Sequence, residues 1–180
     1  MAVVVGTNSG FVLATPSIDP SGSEITIDTW TFAQRDTSPV GSAKIVEVGW
    51  YCADATEEAN YEVGLYSDST DLPATLLYSA RTNAKGTGAG WKSVIVDWAI
   101  SASTTYWIGV QLDDTATATH LDYNNSAGGG NSRKNAQATL AEPFGVPTTT
   151  ALTQATAIYG KYELGNSATD NMTIIGENIY

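Results

Sequence analysis

The sequence is poor in the residue types that most often carry chemistry: it holds one cysteine and one histidine in 180 residues. A single thiol excludes an intrachain disulfide framework. Cys52 lies in the apolar run Val48-Gly49-Trp50-Tyr51-Cys52, where a buried, inert thiol is the ordinary outcome. No Cys/His cluster is present for zinc, and neither G-x-x-x-x-G-K-[ST] nor G-x-G-x-x-G occurs. Basic residues are also scarce. Eight Lys and Arg stand against nineteen Asp and Glu, for a formal net charge of −11. Such a surface repels phosphate backbones, so no nucleic-acid partner is expected, and Arg133-Lys134 is too small a cluster to alter that. The favoured role of the acidity is solubility.

Long apolar runs are missing too. Nothing approaches the roughly 20 residues of a membrane span. The opening MAVVVGTNSGFVLATPS lacks the charged region of a secretion signal. The expectation is a protein that stays in the cytoplasm of its producer or leaves by assembly, lysis or another non-standard route, with the virion as its favoured destination. Convincing helical periodicity is absent, apart from a short candidate helix near Ala53–Asn60.

What is present is β-rich alternation. Candidate strands are Ala2–Val5, Phe11–Ala14, Glu24–Phe32, Lys44–Cys52, Tyr61–Tyr66, Thr75–Ala80, Lys92–Trp98, Thr105–Leu112, His120–Tyr123 and Thr156–Glu163. Turn signals separate them at Asp19-Pro20-Ser21-Gly22, Ser38-Pro39-Val40-Gly41, Asp68 to Pro73 and Gly86 to Gly90. Many short strands at this spacing predict an all-β protein, an antiparallel sandwich or barrel, and the sandwich is the favoured reading. One domain over residues 1–163 is expected, with an N-terminal arm of about 1–22. The tail 164–180 is a candidate inter-subunit arm, its Met172-Thr173-Ile174-Ile175 able to add a strand to a neighbour. The long connection Asn124 to Leu152, with Gly128-Gly129-Gly130, Pro143 and Pro147, exceeds an ordinary loop.

The alternation sorts residues onto faces. Val46, Val48, Trp50 and Cys52 share one face, with Gly49 and Tyr51 opposite. Tyr61, Val63 and Leu65 share a face, with Gly64 and Tyr66 opposite. Tyr106, Ile108, Val110 and Leu112 share a face, with Trp107 and Gly109 opposite. Three strands therefore pair a glycine with an aromatic two residues away on the less buried face. The favoured explanation is that each ring shields a neighbouring glycine, or that the long loop or another subunit covers this face. The alternative is a sugar-binding platform of Tyr51, Tyr66 and Trp107.

No catalytic set can be named. His120 and Asp122 share a strand face, yet no serine or cysteine is singled out as their nucleophile, so no catalytic residues are assigned. Asp68, Asp71, Asp113 and Asp114 offer hard oxygen ligands in loops, which suits calcium, but no EF-hand spacing occurs. Turn formation accounts for them better. No cofactor is expected, with structural calcium as the alternative.

The motif order YEVGLYSD, LPATLLYSA, GAGW, TTYWIGVQLD, a Gly-rich loop, AEPFGVP and ATAIYGKYE resembles a jelly-roll-like β-sandwich domain. That domain recurs in phage structural and tail-associated proteins and in bacterial surface proteins. The resemblance covers roughly residues 44–163 and carries over no catalytic residues. It implies a non-enzymatic virion protein: a capsid decoration, fibre or tail-tip subunit. Its partners would be copies of itself or other virion proteins, with a host-surface glycan in reach. The rival reading is a carbohydrate-binding module, and a hydrolase on the same scaffold ranks last.

Overall fold

A computed structural model describes residues 1–53, 61–82, 88–112, 119–125 and 128–165. The candidate helix near Ala53–Asn60 falls almost wholly outside these residues, as do Asp113, Asp114 and Met172-Thr173-Ile174-Ile175.

Thirteen strands form among the described residues: β1 Gly10–Val12, β2 Ser23–Thr26, β3 Thr31–Thr37, β4 Ser42–Cys52, β5 Tyr61–Ser69, β6 Leu72–Thr82, β7 Gly90–Ala99, β8 Thr105–Leu112, β9 His120–Asn124, β10 Gly130–Lys134, β11 Thr149–Ala151, β12 Ala155–Thr156 and β13 Ile158–Leu164. The first sheet runs β1-β13-β4-β9-β12, with β7 also on β4 and β2 on β9. The second runs β11-β10-β3-β8-β5-β6. The two pack face to face as an all-β sandwich. Within them, β1-β13-β4-β7 stacked on β3-β8-β5-β6 has the strand order of a jelly roll. One strand departs from that plan, because β1 runs parallel to β13.

Turn chemistry explains the sharpest corner. Thr70 and Asp71 both take positive φ, 51° and 63°, between the paired ends Ser69 and Leu72. A two-residue turn of this hand matches the twist of the flanking strands. Pro73 then sits inside β6 opposite Asp68, which is tolerable because β6 is the outermost strand of its sheet.

Three expectations from the alternation are corrected. The span Glu24–Phe32 is two strands. Thr29 at φ 58° and a hydrogen bond from the Trp30 amide to the Ile27 carbonyl (2.9 Å) break it, carrying the chain from the first sheet to the second. Residues 2–5 form no strand beyond a single bridge from Val5 to Ser9. In β4 the register slips between Ile45 and Glu47, so Ile45 rather than Val46 enters the core beside Val48, Trp50 and Cys52. Two strands, β10 and β11, also lie inside the long connection.

The core between the sheets takes Tyr61, Val63 and Leu65 from β5 and Ile108, Val110 and Leu112 from β8. Facing them are Ile45, Val48, Trp50 and Ile158 of the first sheet. Each such aliphatic side chain contributes about 1.5–3 kcal/mol on burial. Trp50 and Tyr61 meet across the sheets with ring centroids 4.6 Å apart.

Gly49 of β4 sets the close approach on the outer face of the first sheet. A Cβ there would lie 2.3 Å from Cζ of the fully buried Tyr159 ring. Gly49→Ala is therefore expected to destabilise the fold by about 1–3 kcal/mol through overpacking. The check is a lower denaturation midpoint with an unchanged m-value.

Candidate functional site

The outer face of the second sheet carries two of the three candidate stacking residues, and its geometry follows from ladder register. Ala33 of β3, Gly109 of β8, Gly64 of β5 and Ser79 of β6 are successive cross-strand partners, making a trough of small residues. Beside it Arg35, Trp107, Tyr66 and Leu76 form the next row. The Tyr66 ring leans into the trough, where a Cβ on Gly109 would come within 2.8 Å of it.

The cover is the chain's own segment 139–144. Phe144 meets Tyr66 edge-on at 5.2 Å, and Ala141 and Phe144 join Ala33, Tyr66 and Trp107 in one buried cluster. Polar contacts tie this strap down. The Tyr66 hydroxyl donates to the Ala141 carbonyl (2.9 Å), and Lys134 Nζ donates to the Phe144 carbonyl (2.7 Å). The Phe144 amide donates to the Ala74 carbonyl (3.0 Å). The Leu140 amide donates to Glu62 Oε2 (2.6 Å), whose Oε1 accepts from Arg81 Nε (2.6 Å). Burial pushes the Tyr66 hydroxyl well above its ordinary pKa, with the Glu62 and Glu142 charges adding to the shift. It stays a neutral donor.

Tyr66 and Trp107 are thus wholly inaccessible. Tyr51, on the opposite sheet, is buried too. It packs with Val3, Ala155 and Ala157 and meets Trp91 at 5.3 Å. Burial, then the neighbouring Asp19 carboxylate, pushes its hydroxyl up to about 12. The three rings lie on two different sheets under protein, so they make no common platform for a sugar. The covering segments satisfy the same apolar faces a sugar would have used.

The N-terminal arm is the cover on Tyr51's side, and carboxylates and carbonyls hold it. Asp36 Oδ2 accepts from the Phe11 amide (2.8 Å) and Asp122 Oδ2 from the Gly22 amide (2.9 Å). Thr15 donates to Glu47 Oε2 (2.9 Å), Asn124 Nδ2 to the Val3 carbonyl (3.2 Å) and Trp91 Nε1 to the Ile18 carbonyl (3.0 Å). Glu47 also accepts from the Tyr159 hydroxyl (2.5 Å).

The candidate calcium ligands Asp68 and Asp71 already face a cation. Arg35 Nε lies 3.1 Å from Asp68 Oδ1 and its terminal nitrogen 2.6 Å from Asp71 Oδ1. Trp107 Nε1 donates to the same Asp68 oxygen (2.8 Å). The Arg35 guanidinium pairs with both carboxylates, and among the described residues no group of three or more His, Cys, Asp or Glu is arranged to hold a metal. Cys52 is buried, with Sγ 3.5 Å from the Tyr61 hydroxyl. Asp122 is buried on the Gly22 amide, while His120 is half-buried in the ladder opposite Thr26.

Sequence reasoning named the rings but missed Arg35, Lys134, Glu62, Leu140 and Phe144. Only the Phe144 neighbourhood carried a signal, as the apolar residue in the Pro-flanked stretch of a long connection. Pairing Arg35 with Asp68 needs the β3–β8–β5 register, which local periodicity does not contain. Concavities among the described residues include an open groove beside Leu77, Tyr78 and Tyr106, another at the end of β4, β7 and β13 beside Lys44, Asp97 and Leu164, and a recess of about 110 Å³ lined by Glu62, Leu76, Ser79, Arg81 and Leu140. No known protein family, no curated protein and no solved structure matches this chain.

Trp107→Ala is expected to cost about 3–5 kcal/mol of stability, as for other fully buried aromatics, measured by denaturant unfolding. A variant that stayed as stable as the parent would show an accessible ring. The arm's carboxylates carry a pH signature. Burial raises the Asp36 and Asp122 pKa values above 3.8, against their backbone hydrogen bonds. Groups raised in the folded state favour folding most below the unfolded pKa, and that contribution is lost as pH rises through the folded value. The stability difference between wild type and Asp36→Asn should therefore move in favour of wild type from about pH 6 to about pH 4, read from denaturation midpoints across that range.

Proposed function

We propose that this protein is a non-enzymatic structural subunit that works by assembly, in the manner of a virion decoration, fibre or tail-tip protein. The observation that carries the reading is how the two outer sheet faces are used. The N-terminal arm covers part of one and the 139–144 strap covers part of the other, so Tyr51, Tyr66 and Trp107 are consumed inside the fold. What remains for contact is edge. β6, eleven residues long, ends its sheet and pairs only with β5 among the described residues. Its Leu72 and Leu77 are 37% and 43% exposed. An unpaired strand with apolar side chains is a ready template for another chain.

Partners in this reading are copies of the same chain or other proteins of the particle. The virion setting rests on the resemblance of motif order alone. Assembly rests on the edge, and a rigid block with sealed faces suits it. A carbohydrate-binding role through Tyr51, Tyr66 and Trp107 would require the arm and the strap to peel away first.

Sedimentation of the full chain over a range of concentrations tests this. The expected result is trimers or larger species. Leu77→Lys, which places a charge on the edge, should weaken association at least about tenfold while the near-ultraviolet spectrum stays native. A monodisperse monomer at all concentrations, above all one that binds polysaccharide, would sink the assembly reading.

A further inference from the structure

The side of the sandwich on which β6 ends one sheet also carries the last strand of the other. β7 pairs only with β4 among the described residues, and its Trp98 ring stacks on Tyr78 of β6 (5.7 Å). Long stretches of both strands lack charge. Neither Leu72–Ala80 of β6 nor Ser93–Val96 of β7 holds an Asp, Glu, Lys, Arg or His, although free edges ordinarily carry charges that keep other chains away. Ile95 is the protruding feature of this side, 77% exposed. Its cross-strand neighbour Glu47 is buried and accepts from Thr15 (2.9 Å). A concave feature lies at the end of β7. There Leu77, Tyr78, Ala99, Ile100, Ser101 and Tyr106, all uncharged, line an open groove of about 410 Å³. Hydrogen bonds behind it fix its shape, from the Ser101 amide to the Tyr106 hydroxyl (3.0 Å) and from the Ile100 amide to the Ala43 carbonyl (2.9 Å). Ile95 stands about 13 Å along the strand from Ala99, so it does not fill the groove of its own chain.

We propose that Ile95 of one copy of this chain seats in the groove beside Leu77 of a second copy. This contact rests on the assembly reading and adds β7 to the β6 edge. Charge selects a second copy as the occupant. Chains of net charge −11 repel one another, so they approach closely only where charge is missing, and the two uncharged stretches supply that place. A basic partner would be drawn to the acidic surface elsewhere. Shape agrees with charge. The protrusion and the groove lie on one side of the same molecule but at different places along it. A contact between two such patches is heterologous, repeats from copy to copy and closes into a ring where the rotation allows. The isoleucine gains burial there without stripping water from any charged group.

Sedimentation of the full chain carrying Ile95→Lys, beside the parent and Leu77→Lys, tests the proposal. Ile95 lies outside the core, so the near-ultraviolet spectrum stays native. Both variants should associate at least about tenfold more weakly than the parent. Weakening by Leu77→Lys with no effect of Ile95→Lys overturns the proposal and leaves the assembly reading standing. A monomeric parent, or no weakening by either variant, removes both. Disulfide capture supplies a second readout, because the native Cys52 is buried and does not compete. Oxidising a mixture of Ile95→Cys chains and Leu77→Cys chains should join one variant to the other. Ile95→Cys chains joined only to one another would overturn the proposal, since β7 would then face β7 of the second copy. Absence of any link overturns it as well.

Discussion

Aromatic rings laid over bare glycine backbone are the constraint on which the rest of this structure depends. A β-sandwich has two outer faces that ordinarily meet water, and here much of both is dry. Tyr66 closes on Gly109, and Tyr159 closes on Gly49 so tightly that a methyl group would collide with the ring. Flat glycine floors let the rings lie low, and low rings leave a surface that an extended segment can cover. The arm and the strap are those segments. Sealing of this kind explains how a chain of few charged residues and many small ones keeps its large rings from solvent.

Beyond the short β1–β13 ladder, hydrogen bonds to side chains hold much of the two covers. Asp36, Asp122 and Glu47 accept from the arm, while Glu62 and Lys134 engage the strap from opposite electrical signs. A buried carboxylate is costly unless donors reach it, and each of these has at least one. Backbone donors in the arm and the strap that find no ladder partner bond carboxylates instead. The same logic fills the Arg35–Asp68–Asp71 site, where charge neutralisation and the Trp107 N–H complete the coordination of Asp68.

Chemistry is therefore displaced to the rim. Each sheet terminates on one side of the sandwich in a long strand, β6 or β7, and the stacked Tyr78 and Trp98 rings (5.7 Å) bridge them. Such edges are unstable in isolation because their backbone groups seek partners. The proposed assembly role draws on that property of β6.

Residue-level alternation by itself made legible the all-β sandwich class, strands β4 to β9 and β13, the faces of β5 and β8, and the turn between Asp68 and Pro73. Those features depend on neighbours one to four residues apart, and period-two burial writes them directly into sequence. Tertiary structure alone decided what covers Tyr51, Tyr66 and Trp107, that Arg35 meets Asp68 and Asp71, and that β10 lines up on β3. It also decided the slip that brings Ile45 inward in place of Val46. Each of these depends on register between strands, or on loops folding back across many residues. A one-residue change of register exchanges the two faces of a strand. No local pattern specifies which distant segment will supply the cover, and so the rings could be seen in the sequence while their burial could not.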